Sequence, residues 1–412
     1  MIKFIHTADI HFGMENYGKI DPHTGIHSRL LDFNAALNAC IDKAIAEEVD
    51  LFLFSGDAYK TAHPSPTQQR LLFQCLLRLF NAKIPVVLII GNHDNPLSFG
   101  KANALDLFGQ LPIGGFYVIA KPTSFVLETK SGPVQIIGIP WPSRTTLAIN
   151  NAYAHATAQE LTQYISQAVA SLIQQFTAAL NPELPTILAG HLTVSSGIFS
   201  GSEKRAIYGT DPVLLPSQLA LHPIDYVALG HLHRYQNLNE GGHPAVVYSG
   251  SIERVDFGER KENKGFCLVT IHDKQNTTHE FIQSPMRPFI QIDVKLDDKQ
   301  TQTDQILEAL KKYTLTNAVV KIVYHIPADK KDRVDIPLIQ QACEDAHYLV
   351  GIFPVREITT KERRLQLKVD MSLEHLLDTY FASKPEYAHN RPALVKRALE
   401  LNAEACCDEE LL

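Results

Sequence analysis

Seven side chains able to hold a divalent cation stand just beyond five short apolar runs. Val86-Val87-Leu88-Ile89-Ile90 leads into Gly91-Asn92-His93-Asp94, and Ile2-Lys3-Phe4-Ile5 into Asp9-Ile10-His11. Leu51–Phe54 leads into Ser55-Gly56-Asp57, Thr186–Ala189 into Gly190-His191, and Tyr226–Leu229 into Gly230-His231-Leu232-His233. A β-branched apolar run reads as a buried strand, and glycine at its end lets the backbone turn sharply. One histidine or aspartate at a strand end is more often a turn residue than a ligand. Five such endings in one chain are a set, and in an open α/β sheet ligands bind beyond the carboxyl ends of the strands.

The set is Asp9, His11, Asp57, Asn92, His191, His231 and His233: two carboxylates, one amide and four imidazoles. Oxygen and nitrogen donors without thiolate suit manganese, iron or zinc in an open site and disfavour a closed structural zinc. Seven donors exceed what one ion with an open position needs. If one carboxylate bridges, they divide into two sites of four, and Asp57, central in the sequence order, is the candidate bridge. Two cations about 3.5–4 Å apart clamp a phosphoryl group and supply a nucleophile at neutral pH. His93 follows a donor and is left over, free to face a substrate and protonate a leaving oxygen. Asp94 is expected either to orient the His93 ring or to stabilise the turn.

The elements that must place these residues follow an α/β pattern. After the first strand a helix is expected from about Ser28 to Glu48, with Leu30, Phe33, Leu37, Cys40 and Ile41 on one face, and a second over Leu71–Leu79. From Phe116 to Ile139 short runs broken by Pro122, Gly132 and Pro133 read as a second sheet, which Val246–Tyr248 and Phe266–Val269 are expected to complete. A long helix over about 158–180 returns the chain to the fourth donor strand. The loop from Ser195 to Gly209, with Lys204 and Arg205, reads as substrate-facing. Ser284-Pro285-Met286-Arg287-Pro288 marks a domain boundary. Beyond it, strands near 289–296, 318–326 and 352–358 alternate with helices near 301–313 and 335–346, a small α+β unit over 289–365. In the tail from 370 to 412, Leu373, Leu376, Leu377, Tyr380 and Phe381, then Leu394, Val395, Ala398 and Leu401, give two amphipathic helices that must dock in cis or on a partner.

The chain has 412 residues, is 45% hydrophobic and carries a net charge of −7, long enough for two or three domains and not basic enough for a general nucleic-acid coat. The short apolar start resembles no signal peptide, and no run approaches a membrane span, so a cytoplasmic protein is expected. Six scattered cysteines without a CxxC pair read as core thiols in a reducing compartment. Candidate phosphate contacts are Arg29, Lys60, Lys204, Arg205, Arg254, Arg260, Lys261 and Lys264. The last four are interleaved with Glu253, Asp256, Glu259 and Glu262, so that segment reads equally as a solvated mixed-charge face.

Asp9-Ile10-His11, Gly56-Asp57, Gly91-Asn92-His93-Asp94, Gly190-His191 and Gly230-His231-Leu232-His233 resemble the five motifs of the calcineurin-like metallophosphoesterases. The opening His6–Gly13, the block ending at Arg234, and Tyr248-Ser249-Gly250-Ser251 resemble the nuclease subunits of bacterial DNA-repair complexes within that superfamily. The resemblance is strong over 1–285 and rests beyond that on arrangement alone. It implies a four-layer α-β-β-α core, a capping domain and a helical tail that binds an SMC-type ATPase. It also implies one manganese on Asp9, His11, Asp57 and His233, a second on Asp57, Asn92, His191 and His231, and His93 as the catalytic histidine. Homodimerisation through the helix at 28–48 or 65–80 is implied too, within a heterotetramer. The expected activity is 3'-5' exonuclease on double-stranded DNA ends and endonuclease on hairpins or single strands, in repair, recombination and replication. Some relatives carry a histidine where this chain has Lys60, which bears on polarity and end processing. Two other readings stand beside this one: a small-substrate phosphodiesterase or phosphatase, and a non-catalytic scaffold in which metals hold the strand ends.

Overall fold

Four strands, β1 (Ile2–Thr7), β2 (Leu51–Phe54), β3 (Val86–Ile89) and β4 (Phe116–Ile119), lie side by side and parallel in a computed structural model of the chain. It describes residues 1–95, 102–110, 114–144, 146–147, 157–201, 211–356, 373–382 and 390–408. The connections are α1 (Ser28–Ala46), α2 (Pro66–Asn81) and the single turn α3 (Asp106–Gly109). Ser65 and Gln68 cap α2 reciprocally, with Pro66 inside the start, where its missing N–H costs nothing.

The second sheet takes β5 (Thr123–Thr129), β6 (Gly132–Ile139), β7 (Thr186–His191), β10 (Tyr226–Gly230), β11 (Gln236–Asn237) and β12 (Ala245–Tyr248), in the order β11-β12-β10-β7-β6-β5. Helix α4 (Ala158–Ala178) precedes β7, and a short parallel pair, β8 (Thr193–Val194) and β9 (Val213–Leu214), flanks the sheet. β13 (Gly265–Asp273) and β14 (Asn276–Gln283) extend the first sheet, β13 running antiparallel to β1.

The structure corrects two expectations about the sheets. Phe116–Ile119 belongs to the first sheet, and so does Phe266–Val269. Pairing of Phe4 with Val269 across more than 260 residues sends Val269, Cys267 and Ile271 into the inter-sheet core, a choice no local pattern records.

The period of two along each strand builds four layers. Ile5, Phe52, Phe54, Val86 and Leu88 face α1 and α2, while their neighbours Phe4, Leu51, Leu53, Val87 and Ile89 meet Ile136, Ile187, Ala189, Tyr226 and Ala228 of the second sheet. Ile137, Leu188, Val227 and Leu229 point the other way and bury Ile165, Val169 and Ile173 of α4. The α-β-β-α architecture therefore aims the carboxyl ends of β1, β2, β3, β7 and β10 at one edge of the sandwich.

The chain divides into two compact units, residues 1–324 with 333–354 and residues 325–332 with 355–412. The first also contains β15 (Phe289–Lys295), α5 (Gln302–Leu310), α6 (Ile336–Ala342) and all but the last two residues of β16 (Val319–Ile326) and of β17 (Tyr348–Arg356), the three strands forming a small sheet in the order β15-β16-β17. The end of the expected α+β unit, 357–365, lies outside the described residues. In the second unit α7 (Leu373–Ala382) packs on α8 (Arg391–Asp408), and Arg391 pairs with Asp378. Among the described residues no helix is long and apolar enough to cross a membrane. Cys40, Cys75, Cys267 and Cys343 are buried free thiols.

Candidate metal centre

The strand ends turn through backbone conformations that L-residues seldom adopt. Asp9, His11, Asp57 and His231 have φ of 53°, 51°, 61° and 104°, the left-handed region, which aspartate and histidine tolerate better than β-branched residues do. Glycine appears where backbones must nearly touch. A Cβ on Gly91 would lie 2.1 Å from Asp57 Oδ1, and one on Gly230 would lie 2.1 Å from Ser55 O.

All seven predicted donors converge. Donor atoms of Asp9, His11 and His233 lie within 4.8 Å of one another, as do those of Asp9, Asp57 and His191. His11 Nε2 is 3.0 Å from His233 Nε2, and Asn92 Oδ1 is 3.0 Å from His191 Nε2 and 3.2 Å from His231 Nδ1. Asp57 Oδ2 stands between the two groups, 3.7 Å from His11 Nε2 and 3.4 Å from His191 Nε2.

The contact between His11 and His233 sets lone pair against lone pair. His191 Nδ1 donates to Ser55 O at 2.8 Å, so Nε2 is the atom that faces the oxygens of Asn92 and Asp57, where its proton must leave before it can ligate. His233 Nδ1 lies 2.8 Å from Glu259 Oε1, so its Nε2 faces His11 Nε2 in the same way. His231 Nε2 is buried without a hydrogen bond, 3.5 Å from Asp211 Oδ2. Two imidazole nitrogens facing each other at 3.0 Å suit a divalent cation held between them.

Burial pushes Asp9 up to about 7, only partly offset by the His191 and His233 charges. Burial also disfavours charge on Asp57 and His191, yet each prevails through the other. Asp57 is held far below the usual carboxylate range, and His191 is raised to about 9. Burial lowers His11 and His231, keeping them neutral and able to ligate.

His93 is exposed beside the donors. Its ring packs edge-on to His11 at 4.9 Å between centroids, its backbone N–H donates to Asp57 Oδ1 at 2.9 Å, and Nδ1 donates to Lys60 O at 2.7 Å. This leaves Nε2 for a substrate. Asp94 does not orient that ring. Its buried carboxylate accepts from the backbone N–H groups of Asp57, Ala58, Tyr59 and Gly91 at 2.9–3.2 Å, because the strand-end turns leave those donors without a ladder partner.

The charged segment near 253–264 is not the solvated mixed-charge face that its alternation suggests. Arg29, Arg254, Lys264, Glu253 and Glu259 are all buried. Arg29 donates to Asp32 and to Arg254 O, and its guanidinium stacks on Phe33 and Phe289. Arg254 donates to Arg287 O and Glu262 O. These three cations leave the set of phosphate contacts. Lys60 and Arg260 are half-buried and Lys261 is exposed, whereas Lys204 and Arg205 lie outside the described residues.

Two neighbours were not read as part of the site in sequence. Trp141, whose N–H donates to Ile90 O, sets its ring 4.8 Å from that of His231 and 6.0 Å from that of His191. Glu259 touches His233. The one signal for Trp141 is its being the single tryptophan, between two prolines.

The sequence pattern of the calcineurin-like phosphoesterases matches residues 2–235, more than half of the chain and a span holding every donor. The chain belongs to that family. It is a metal-dependent phosphoesterase by family, with a donor cluster compatible with two metal ions. A relative from Staphylococcus epidermidis, the SbcD component of the nuclease SbcCD, is 26% identical over 326 residues, 79% of this chain and 80% of its own. Among solved structures, a dimetal phosphatase from Danio rerio is 10% identical with a TM-score of 0.42, covering 68% of this chain and 98% of its own. A Thermus thermophilus protein is 12% identical with a TM-score of 0.35 at the same coverage.

Proposed function

We propose that the protein is an SbcD-like DNA nuclease, hydrolysing phosphodiesters at double-stranded ends and hairpins with an SbcC-like SMC-type ATPase, in cytoplasmic DNA repair and recombination. The observation that carries this reading is the sharing of Asp57 between two donor groups beside an exposed histidine. Asp9, His11, Asp57 and His233 would hold one manganese ion and Asp57, Asn92, His191 and His231 the other. When bound, the pair neutralises phosphodiester charge and supplies an activated nucleophile. His93, its Nδ1 proton committed to Lys60 O, presents Nε2 to the leaving oxygen and, as the imidazolium with a second proton on Nε2, delivers that proton there. Asp94 holds the turns and moves no proton. The unit over 289–365 covers and selects, and the helical tail at 370–412 meets the ATPase.

A second copy of the chain would meet this one along α2. Phe73 is 41% exposed and stacks on Phe108 beside Leu107, 64% exposed, an apolar strip on a helix otherwise packed against α1. The test is manganese-dependent nucleotide release from a linear duplex, measured against cleavage of a phosphomonoester and a cyclic nucleotide, with His93→Ala as control. Hydrolysis confined to the small substrates would sink the nuclease reading, and a chain inert on all three would return the scaffold.

A further inference from the structure

His233 is gripped at both ends by one buried ion pair. Glu259 Oε1 lies 2.8 Å from the His233 Nδ1, and Glu259 Oε2 takes Lys264 Nζ at 3.0 Å and the Val255 N–H at 2.8 Å. Lys264 Nζ in turn donates to the His233 carbonyl at 2.7 Å and to Glu262 at 3.0 Å. Both pair members have side chains at 0% exposure, so neither meets solvent or substrate. The corresponding nitrogen of His191 has a backbone carbonyl for its partner, and that of His231, whose Nδ1 faces the donor Asn92, lies 3.5 Å from Asp211 Oδ2 without a hydrogen bond. One half of the centre thus has a carboxylate hydrogen-bonded behind a ligand ring, and the other has a backbone carbonyl and a carboxylate set farther off.

We infer that Glu259, clamped by Lys264, is a positioning residue that fixes the tautomer and aim of His233 and makes the Asp9/His11/Asp57/His233 half the tighter of the two metal sites. This rests on the dinuclear reading above. A carboxylate on the far nitrogen of a ligating imidazole pins its proton there, orients the ring and strengthens its lone pair, and losing such a partner weakens metal binding by about 10–100-fold. Because Lys264 also holds the main chain of the same residue, ring and backbone move as one body. The two sites should therefore fill in order.

Trp141 provides a reporter for the second half, since its ring packs on His231 and His191 and it is the only tryptophan. Metal-free full-length protein is titrated with Mn2+ while free ion is followed by electron paramagnetic resonance and the second half by Trp141 quenching. Wild type should take two equivalents, with most quenching in the second. Glu259→Gln and Glu259→Asp, the latter withdrawing the carboxylate from Nδ1 while leaving an acid beside Lys264, should each lose about tenfold or more in first-equivalent affinity. In both, quenching should move into the first equivalent. Glu262→Gln, which disturbs Lys264 without touching the His233 ring, should titrate as wild type. Two-equivalent binding by wild type with both Glu259 variants unchanged overturns the inference alone. Fewer than two equivalents in wild type overturns the dinuclear reading and the inference with it. Loss of thermal stability with unchanged filling order in either variant also overturns it, since that is what a merely structural acid would do.

Discussion

Replacing Asp94 distinguishes a carboxylate that builds turns from one that takes part in proton transfer. Oδ2 accepts from the N–H of Asp57 at 2.9 Å, Ala58 at 3.2 Å and Gly91 at 3.1 Å, and Oδ1 from that of Tyr59 at 3.1 Å. Burial, then the neighbouring Asp57 charge, raises Asp94 to about 6, so near neutral pH it is an ionised acceptor with four donors. Asparagine has one carbonyl oxygen. Set at the Oδ2 position it keeps three of the bonds, loses their charge assistance and turns an N–H against that of Tyr59. A hydrogen bond to a charged group contributes about 1.5–3 kcal/mol, so Asp94→Asn should cost about 2–4 kcal/mol. Asp94→Ala strands four buried donors at about 1–3 kcal/mol each and should cost at least about 4 kcal/mol. Urea unfolding reads the stability, and single-turnover cleavage at saturating manganese reads the chemistry. The expected result for Asp94→Asn is a lower unfolding midpoint with a wild-type pH profile for kcat. Stability within about 0.5 kcal/mol of wild type, together with loss of one limb of that profile, would refute the reasoning and return Asp94 to catalysis.

His93→Ala should lower kcat about 10²–10⁴-fold while manganese stoichiometry, measured calorimetrically, stays at the wild-type value. Gly91→Ala drives a methyl group into Asp57 and should abolish two-metal binding even where circular dichroism shows a folded chain. His6 is buried and held neutral, donating through Nε2 to Leu229 O and accepting from Tyr226, and burial lowers it from 6.5 to about 3. Between those two values the unfolded chain takes up a proton that the folded one refuses, so this residue's contribution to stability is intact above about pH 6.5 and is lost as pH falls toward 3. The slope is about 1.4 kcal/mol per pH unit, and urea midpoints at about pH 7 and pH 5 should differ less in His6→Gln than in wild type.

The donors were legible because each lies within a few residues of the strand that carries it. Gly91-Asn92-His93 states its own geometry: an apolar run, a turn, then the groups. What escaped depends on contacts between distant segments. Nothing near Phe266 says whether β13 joins β1 or β12, and the choice is made by where Val269 and Ile271 find apolar partners. The run from Glu253 to Lys264 alternates charges as a solvated loop does. Its Glu253 and Glu259 are buried because Arg29, from α1, the Arg287 backbone N–H and Lys264 supply the opposite charges and hydrogen bonds that ordinary burial would deny them. Asp94 was open to two roles for the same reason, since its partners include the turn of another strand end.

The strained turns also bear on whether the centre holds its shape before any ion arrives. Left-handed backbone at Asp9, His11, Asp57 and His231 costs about 1–3 kcal/mol each and persists only where the surroundings over-determine it. Here each turn is fastened to another. Asp9 N–H donates to Gly56 O and His11 N–H to Asp57 O, tying the first strand end to the second. Asp57 N–H donates to Asp94, tying the second to the third, and His231 N–H donates to the Asp9 carboxylate, tying the fifth to the first. The ring of His191 donates to Ser55 O, bringing in the fourth. No donor position can relax without disturbing a neighbour, so the loops form a linked network and not five independent ends. Folding energy from the inter-sheet core is thereby converted into fixed donor positions, which is the preorganisation that a charged phosphodiester site requires.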